Sequence, residues 1–220
     1  MKNIIFISPP SAGKGTQSKL ISDEYNIPHI SVGSLLRDVA DGDSEIGIKL
    51  REVLASGQLV DNNITFRILK DRLMEDDCNN GYILDGYPRS MEQAIFYEKL
   101  LNELNKDLGL VIFLDISKEL ATKRALSRLM CSNCGSSYNL DVSSLRPKVD
   151  NICDRCGNKL SVRGDDNKES FEKRFDVYMN TTKELIDYYE NKGVLRKVLV
   201  TEGKSALDIF EEIKEIINND

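Results

Sequence analysis

Two C-x-x-C pairs, Cys131/Cys134 and Cys153/Cys156, carry the most specific chemistry in the chain. Eighteen residues separate the pairs and a glycine follows each. At this spacing, thiolates from two tight turns close a tetrahedral zinc site. Four thiolates leave no open position for water, so the expectation is a structural Zn2+ that orders a segment too short to build its own core. Iron is the other metal such a sulfur set accepts. Cys78 has no paired neighbour and reads as a buried or idle thiol. His29 is the one histidine of the chain, within a short strand-like run, and reads as a packing or surface residue.

The second constellation is suited to phosphate. The apolar run 4–7 leads into Ser8-Pro-Pro-Ser-Ala-Gly-Lys-Gly-Thr16, and a helical pattern takes over at Thr16. There the amides of residues 13–16 would face an anion at a helix N-terminus, with Lys14 adding a mobile full charge. The match to the phosphate-loop pattern G-x-x-x-x-G-K-S/T is imperfect, with Ser8 in place of the first glycine and Gly15 in the hydroxyl slot. A serine at position 8 is unstrained only if that position does not need positive φ. On its own the loop is equally compatible with a plain strand–turn–helix corner.

These residues need elements to position them. Strand patterns recur at 4–7, 27–31, 81–85, 110–115 and 194–200, with helical patterns between them, as in a parallel α/β sheet. The strand ending at Asp85 would deliver its carboxylate where ligands of open α/β sheets sit, beyond the carboxyl ends of strands. Helical stretches are expected at 33–39, 45–56, 63–74, 91–104, 118–129, 171–189 and 206–217. Within 118–129, Arg124 and Arg128 are four apart and would share one helix face.

Composition narrows the function classes. The chain has 220 residues and a net charge of −6, with 40% hydrophobic and 30% charged residues. An acidic balance argues against bulk nucleic-acid binding, so an anionic ligand must be held by locally placed Arg and Lys. No apolar run approaches membrane-spanning length and the N-terminus lacks a secretory pattern, which points to the cytoplasm and to no membrane partner.

Taken together, G-K-G-T-Q at 13–17, I-S-V-G-S-L-L-R at 30–37, L-D-G-Y-P-R at 84–89 with Gln93, and R-G-D-D at 163–166 resemble the adenylate kinase family, in particular its long bacterial form with a zinc-binding lid. The resemblance covers essentially the whole chain. It implies a P-loop nucleoside-monophosphate kinase fold, with a five-stranded parallel sheet flanked by helices. It further implies a core of residues 1–30, 61–126 and 165–220, an inserted monophosphate-binding domain at 31–60 and a lid at 127–164. The implied reaction is reversible γ-phosphoryl transfer from Mg-ATP to AMP, giving two ADP, by a monomer. An AMP phosphate is already an anion, so the reaction needs positioning and charge neutralisation and no general base.

The resemblance implies roles residue by residue. Lys14 and the segment Ser11, Ala12, Gly13, Gly15 and Thr16 would hold the ATP phosphates. Arg124 and Arg128 would reach the same phosphates, and Arg163 and Arg174 would close over the transferring group. Ser137, Tyr138 and the Lys204 backbone would flank the ATP adenine. Arg37 and Arg89 would hold the AMP phosphate, with Val32, Gln58, Leu59, Val60, Gly86, Tyr87, Pro88 and Gln93 around the rest of AMP and Gln93 on its adenine. Asp85 would orient Mg2+ through waters, while Asp165 and Asp166 would help position Arg163. The chain departs from the family pattern at Ser8 and Ser11 (usually Gly), Val32 (usually Thr) and Ser34 (usually Asp or Glu). These departures lead to the expectation of an active enzyme with weaker monophosphate or Mg2+ binding. The rival readings are a kinase for UMP, CMP or GMP, a paralogue with reduced activity, and a zinc-ribbon nucleic-acid binder.

Overall fold

Short strands alternate with helices along most of the chain, and the apolar runs at 4–7 and 110–114 are wholly buried. The computed structural model describes residues 2–56, 60–162 and 166–220. In chain order the elements are β1 (Ile4–Ile7), α1 (Lys14–Tyr25), β2 (His29–Ser31), α2 (Val32–Ala40), α3 (Glu45–Ser56), α4 (Asn62–Leu73), β3 (Ile83–Asp85) and α5 (Met91–Leu104). There follow β4 (Leu110–Ile116), α6 (Lys118–Leu126), β5 (Arg128–Cys131), β6 (Ser137–Asn139), β7 (Leu160–Ser161), α7 (Lys168–Asn191), β8 (Leu195–Val200) and α8 (Ala206–Asn219).

A five-stranded sheet has the order β2-β3-β1-β4-β8, with β3 parallel to both β1 and β2. The register puts Asp85 beside Phe6 on one side and Ser31 on the other. Every residue of β1 is buried, as are Leu110 to Leu114 of β4, the pattern of strands covered on both faces. Gly109 lets β4 approach β1: its φ is +78°, and a Cβ there would lie 2.1 Å from the Asn3 carbonyl oxygen. That carbonyl accepts the Leu110 N–H at 2.8 Å. Only glycine fits such an approach.

The chain divides into two compact units. The first comprises Met1–Ile7, Ser18–Ile112 and Thr181–Arg196, and the second Ser8–Gln17, Phe113–Asn180 and Lys197–Asp220. In the first unit, Tyr82 and Tyr97 share a hydroxyl–hydroxyl hydrogen bond of 2.6 Å, and the Tyr87 ring stands edge-on to Tyr97 at 6.1 Å. Burial pushes all three phenols above their ordinary range. The second unit contains a separate antiparallel sheet of order β6-β5-β7. Its small core is Leu129, Cys131, Tyr138, Cys153 and Leu160.

The structure corrects one sequence expectation. The helix expected to run from 118 to 129 ends at Leu126, and Arg128 opens a strand, so Arg124 and Arg128 do not share a helix face. Antiparallel pairing of Arg128, Leu129 and Met130 with Asn139, Tyr138 and Ser137 captures the segment, and Ser127 bonds back to the Lys123 carbonyl. The partner of Arg128 lies eleven residues downstream, where helical periodicity carries no information about it.

Candidate functional site

In the second unit, the loop between β1 and α1 holds its shape through two left-handed residues. Gly13 has φ +97° and Ser11 has φ +64°, whereas Ser8 does not take positive φ. The strain considered for Ser8 therefore falls on Ser11, where a non-glycine residue costs about 1–2 kcal/mol. Ala12 is buried between them. The hydroxyls of Ser8 and Ser11 are both buried with no hydrogen-bond partner among the described residues. Lys14 opens α1, so Gly15 and Thr16 lie in its first turn, whose amides have no partner within the helix. Gln17 is buried and its Nε2 donates to the Ala206 carbonyl at 2.9 Å, tying this turn to the start of α8.

Two arginines of the same unit meet on one carboxylate. Arg128 donates to both oxygens of Asp166, Nε at 2.6 Å and Nη2 at 2.5 Å, and Arg174 Nη2 reaches Oδ1 at 3.1 Å. The Asp166 side chain is wholly buried. Burial pushes its carboxyl up, but the hydrogen bonds and charge of Arg128, then of Arg174, outweigh that and hold it below the usual carboxylate range. Arg124 is half-buried, and its Nε has no partner among the described residues.

Arg124 lines a cleft with Lys123, Asp141, Ser143, Lys204 and Ser205. Asn139, which no sequence motif marks, holds that cleft together. Its Oδ1 accepts from Ser127 Oγ, Asp141 N and Val142 N, and its Nδ2 donates to the Arg124 carbonyl at 2.8 Å. Lys204 pairs with Glu212 at 2.5 Å.

The four paired cysteines gather, with all sulfurs within 4.8 Å of one another. Cys131 and Cys156 are 3.4 Å apart, Cys134 and Cys153 3.5 Å. A tetrahedron with metal–sulfur bonds of about 2.3 Å has edges near 3.8 Å, so this donor set fits a closed four-thiolate ion. Tyr138 turns inward: its hydroxyl lies 3.4 Å from Cys153 Sγ and accepts the Asp154 N–H at 2.8 Å. Its ring is core, while Ser137 beside it is exposed.

In the first unit, Asp85 ends β3, with its Oδ2 3.3 Å from His29 Nε2. As a hard oxygen donor at a strand end it suits a water-mediated divalent cation. The turn after it carries Gly86 at φ +81° and a cis peptide between Tyr87 and Pro88. Arg89 folds over this turn, its Nε donating to the Gly86 carbonyl at 2.8 Å. Its backbone N–H donates to Gln93 Oε1 at 2.8 Å. The Tyr87 side chain is buried and its hydroxyl has no partner among the described residues, leaving only its backbone for a ligand.

At the start of α2, Arg37 Nη2 donates to Ser34 Oγ at 3.0 Å and so curls over the first turn. Val32 and Val60 are buried. Gln58, Leu59, Arg163 and Asp165 lie outside the described residues. Two partners are absent from the sequence reading, Asn139 and the Asn62 that meets Gln93. Lone asparagines carry no pattern, and only the fold shows what they bond.

The adenylate kinase family model matches residues 6–194. The adenylate kinase of Thermosipho africanus is 44% identical, across 98% of this chain and 98% of its own length. That of Methanosarcina mazei is 43% identical, with 98% of each chain covered. For the adenylate kinase of Archaeoglobus fulgidus the identity is 42%, covering 98% of this chain and 97% of the relative.

Proposed function

The chain belongs to the adenylate kinase family, and from that membership we propose that it transfers the γ-phosphoryl group of ATP reversibly to AMP, giving two ADP. The observation that carries the reading is the pairing of Arg128 and Arg174 on the buried Asp166, in the unit that also holds the Gly13–Lys14–Gly15–Thr16 loop. With its Nε and Nη2 fixed on Asp166, Arg128 keeps its Nη1 for a spreading phosphoryl charge, and Arg174 is held on the same carboxylate beside it; an arginine so placed is typically worth about 10³–10⁵ in rate.

The ATP phosphates would take the amides of residues 11–16 and Lys14, with the half-buried Arg124 guanidinium beside them. The orphan hydroxyls of Ser8 and Ser11 add donors that the usual glycines lack. Adenosine of ATP would enter the cleft of Arg124 and Lys204, and Ser137 and Tyr138 keep their assigned roles beside the adenine as part of this proposal. The AMP phosphate would be held by Arg37 and Arg89, and its adenine by Gln93. Arg163, Gln58 and Leu59 keep their assigned roles as part of this proposal. Asp85 would hold the water shell of Mg2+, which neutralises phosphate charge when bound with ATP. Cys131, Cys134, Cys153 and Cys156 would hold a Zn2+ that cross-links the segment 128–161 and supplies no reactive position.

Residues 31–60 would then serve as the monophosphate-binding domain and 127–164 as a lid that excludes water before transfer. A cytoplasmic monomer without nucleic-acid or membrane partners completes the reading. The net charge of −6 supports the first of these exclusions. Among the described residues no helix is long and apolar enough to cross a membrane.

The test is ADP formation from Mg-ATP with AMP, UMP, CMP or GMP as acceptor. AMP is expected to lead in kcat/KM by about 10²-fold, the discrimination a hydrogen-bonding base site can supply. Equal use of another monophosphate, or no ADP at all, overturns the reading. The same assay gives the KM for AMP, expected to be raised because the buried Val32 offers no hydroxyl. A low-micromolar value refutes that part.

A further inference from the structure

A glutamine distinguishes one nucleobase edge from its reverse only if its amide cannot rotate. Gln93 is 5% exposed, and Ser90 caps α5 by accepting its N–H. Its Oε1 accepts the Arg89 N–H at 2.8 Å, and a backbone amide can only donate, so that oxygen is assigned by chemistry. Nε2 must then face the other side, where it donates to Asn62 Oδ1 at 3.3 Å.

The backbone of Asn62 is placed there by its helix. It is the first residue of α4, whose cap Asp61 accepts from Asn63 N and Ile64 N. α4 and α5 run side by side in parallel. Asn62 meets Gln93, Phe66 stands edge-on to Phe96 at 6.1 Å, and Lys70 pairs with Glu103 at 2.7 Å.

We propose that Asn62 is a positioning residue that locks the amide polarity of Gln93 and thereby sets the preference for adenine over a 6-oxopurine. The inference rests on the reading of Gln93 as the base contact. With both anchors made, Gln93 keeps one Oε1 lone pair and one Nε2 hydrogen for a ligand. That pair accepts from a 6-amino group and donates to an unprotonated N1, the edge of adenine. Hypoxanthine and guanine present the reverse, a 6-oxo acceptor beside an N1–H donor. To read them the amide must flip, which sets its NH2 against the fixed Arg89 N–H and forces the Asn62 amide to turn over with it. The site then holds a donor against a donor at Arg89 and must rearrange at Asn62, which disfavours the ligand.

The experiment compares Asn62→Ala, Asn62→Asp and Gln93→Ala with the unaltered chain, using AMP and IMP as acceptors. Asn62→Ala is expected to raise the KM for AMP about five-fold, leave kcat within about two-fold, and narrow the AMP-to-IMP ratio of kcat/KM by a similar factor. Asn62→Asp keeps an oxygen acceptor at the same place and is expected to restore both values. An Asn62→Ala variant with unchanged KM and ratio, alongside a Gln93→Ala variant that is impaired, overturns the proposal alone. Gln93→Ala without effect on AMP overturns the base-contact reading beneath it. An Asn62→Asp variant as impaired as Asn62→Ala overturns the claim that the acceptor oxygen is what matters.

Discussion

In the first unit, Arg89 lies in the turn between β3 and α5 and Gln93 in α5, and the neighbouring side chains Tyr82, Ile83, Leu84, Tyr97 and Leu100 are all fully buried. In the second, the segment 128–161 gathers five core residues, and two of them are cysteines that also belong to the sulfur cluster. The first is held by apolar area, with roughly 1.5–3 kcal/mol for each large side chain removed from water. The second has too little area for that and would depend on a metal cross-link through its four sulfurs. The polar groups differ in the same sense. Gln93 is oriented by neutral hydrogen bonds and Arg37 by a neutral serine acceptor, whereas Arg128 and Arg174 are oriented by a buried charge. A packed region keeps its shape without help, and a charge- and sulfur-held region keeps it only under the right conditions.

Metal removal should break the comparison most visibly. Chelation is expected to raise amide exchange at Leu129 and Leu160 by about 10³-fold or more, while Ile83 and Leu84 keep their protection. Retained protection at Leu129 in the metal-free chain would mean that packing alone suffices there. Next in size, Arg128→Ala or Arg174→Ala should lower kcat at least about 10²-fold with an unchanged circular dichroism spectrum. Near-normal turnover in either variant removes these arginines from the chemistry.

A smaller effect concerns Asp166. Its folded pKa is depressed, so its contribution to stability is fully present above the unfolded carboxylate value near 3.9 and is lost as pH falls through the lower folded value. Melting measured between pH 6 and about pH 3 should fall less steeply in Asp166→Asn than in the parent chain. Parallel curves would show that the pair stabilises nothing. The smallest effect is expected at Ser11, where replacement by glycine relieves the left-handed strain but loosens the unfolded chain. The net gain is a few tenths to about 1 kcal/mol, or about 1–3 °C in Tm. A lower Tm would place the strain elsewhere.

The legible parts of the molecule were those with local causes. The strand run 110–115, the helix 91–104 and the cysteine spacing each announce themselves within a few residues, and the structure has them there. What escaped depends on partners distant in sequence. The strand character of Arg128 needs Asn139, the inward turn of Tyr138 needs Cys153, and the orientation of Gln93 needs Asn62. Ser8 and Ser11 looked alike as departures, since φ is a property of the closed loop and not of the residue type.

The parallel rungs between α4 and α5 bear on how this fold tolerates changes in length. Asn62–Gln93, Phe66–Phe96 and Lys70–Glu103 lie on matched faces, and each helical residue advances the face by about 100°. One residue inserted between Asn62 and Phe66 would therefore swing Asn62 off Gln93 while the apolar and ionic rungs below it stayed in place. An insertion in the connection at 79–80, outside both helices, would leave all three rungs in step. Drift in chain length at the exposed residues 79–80 can thus accumulate without touching the proposed base contact, and a single slip inside the first turn of α4 would alter that contact before it altered the fold.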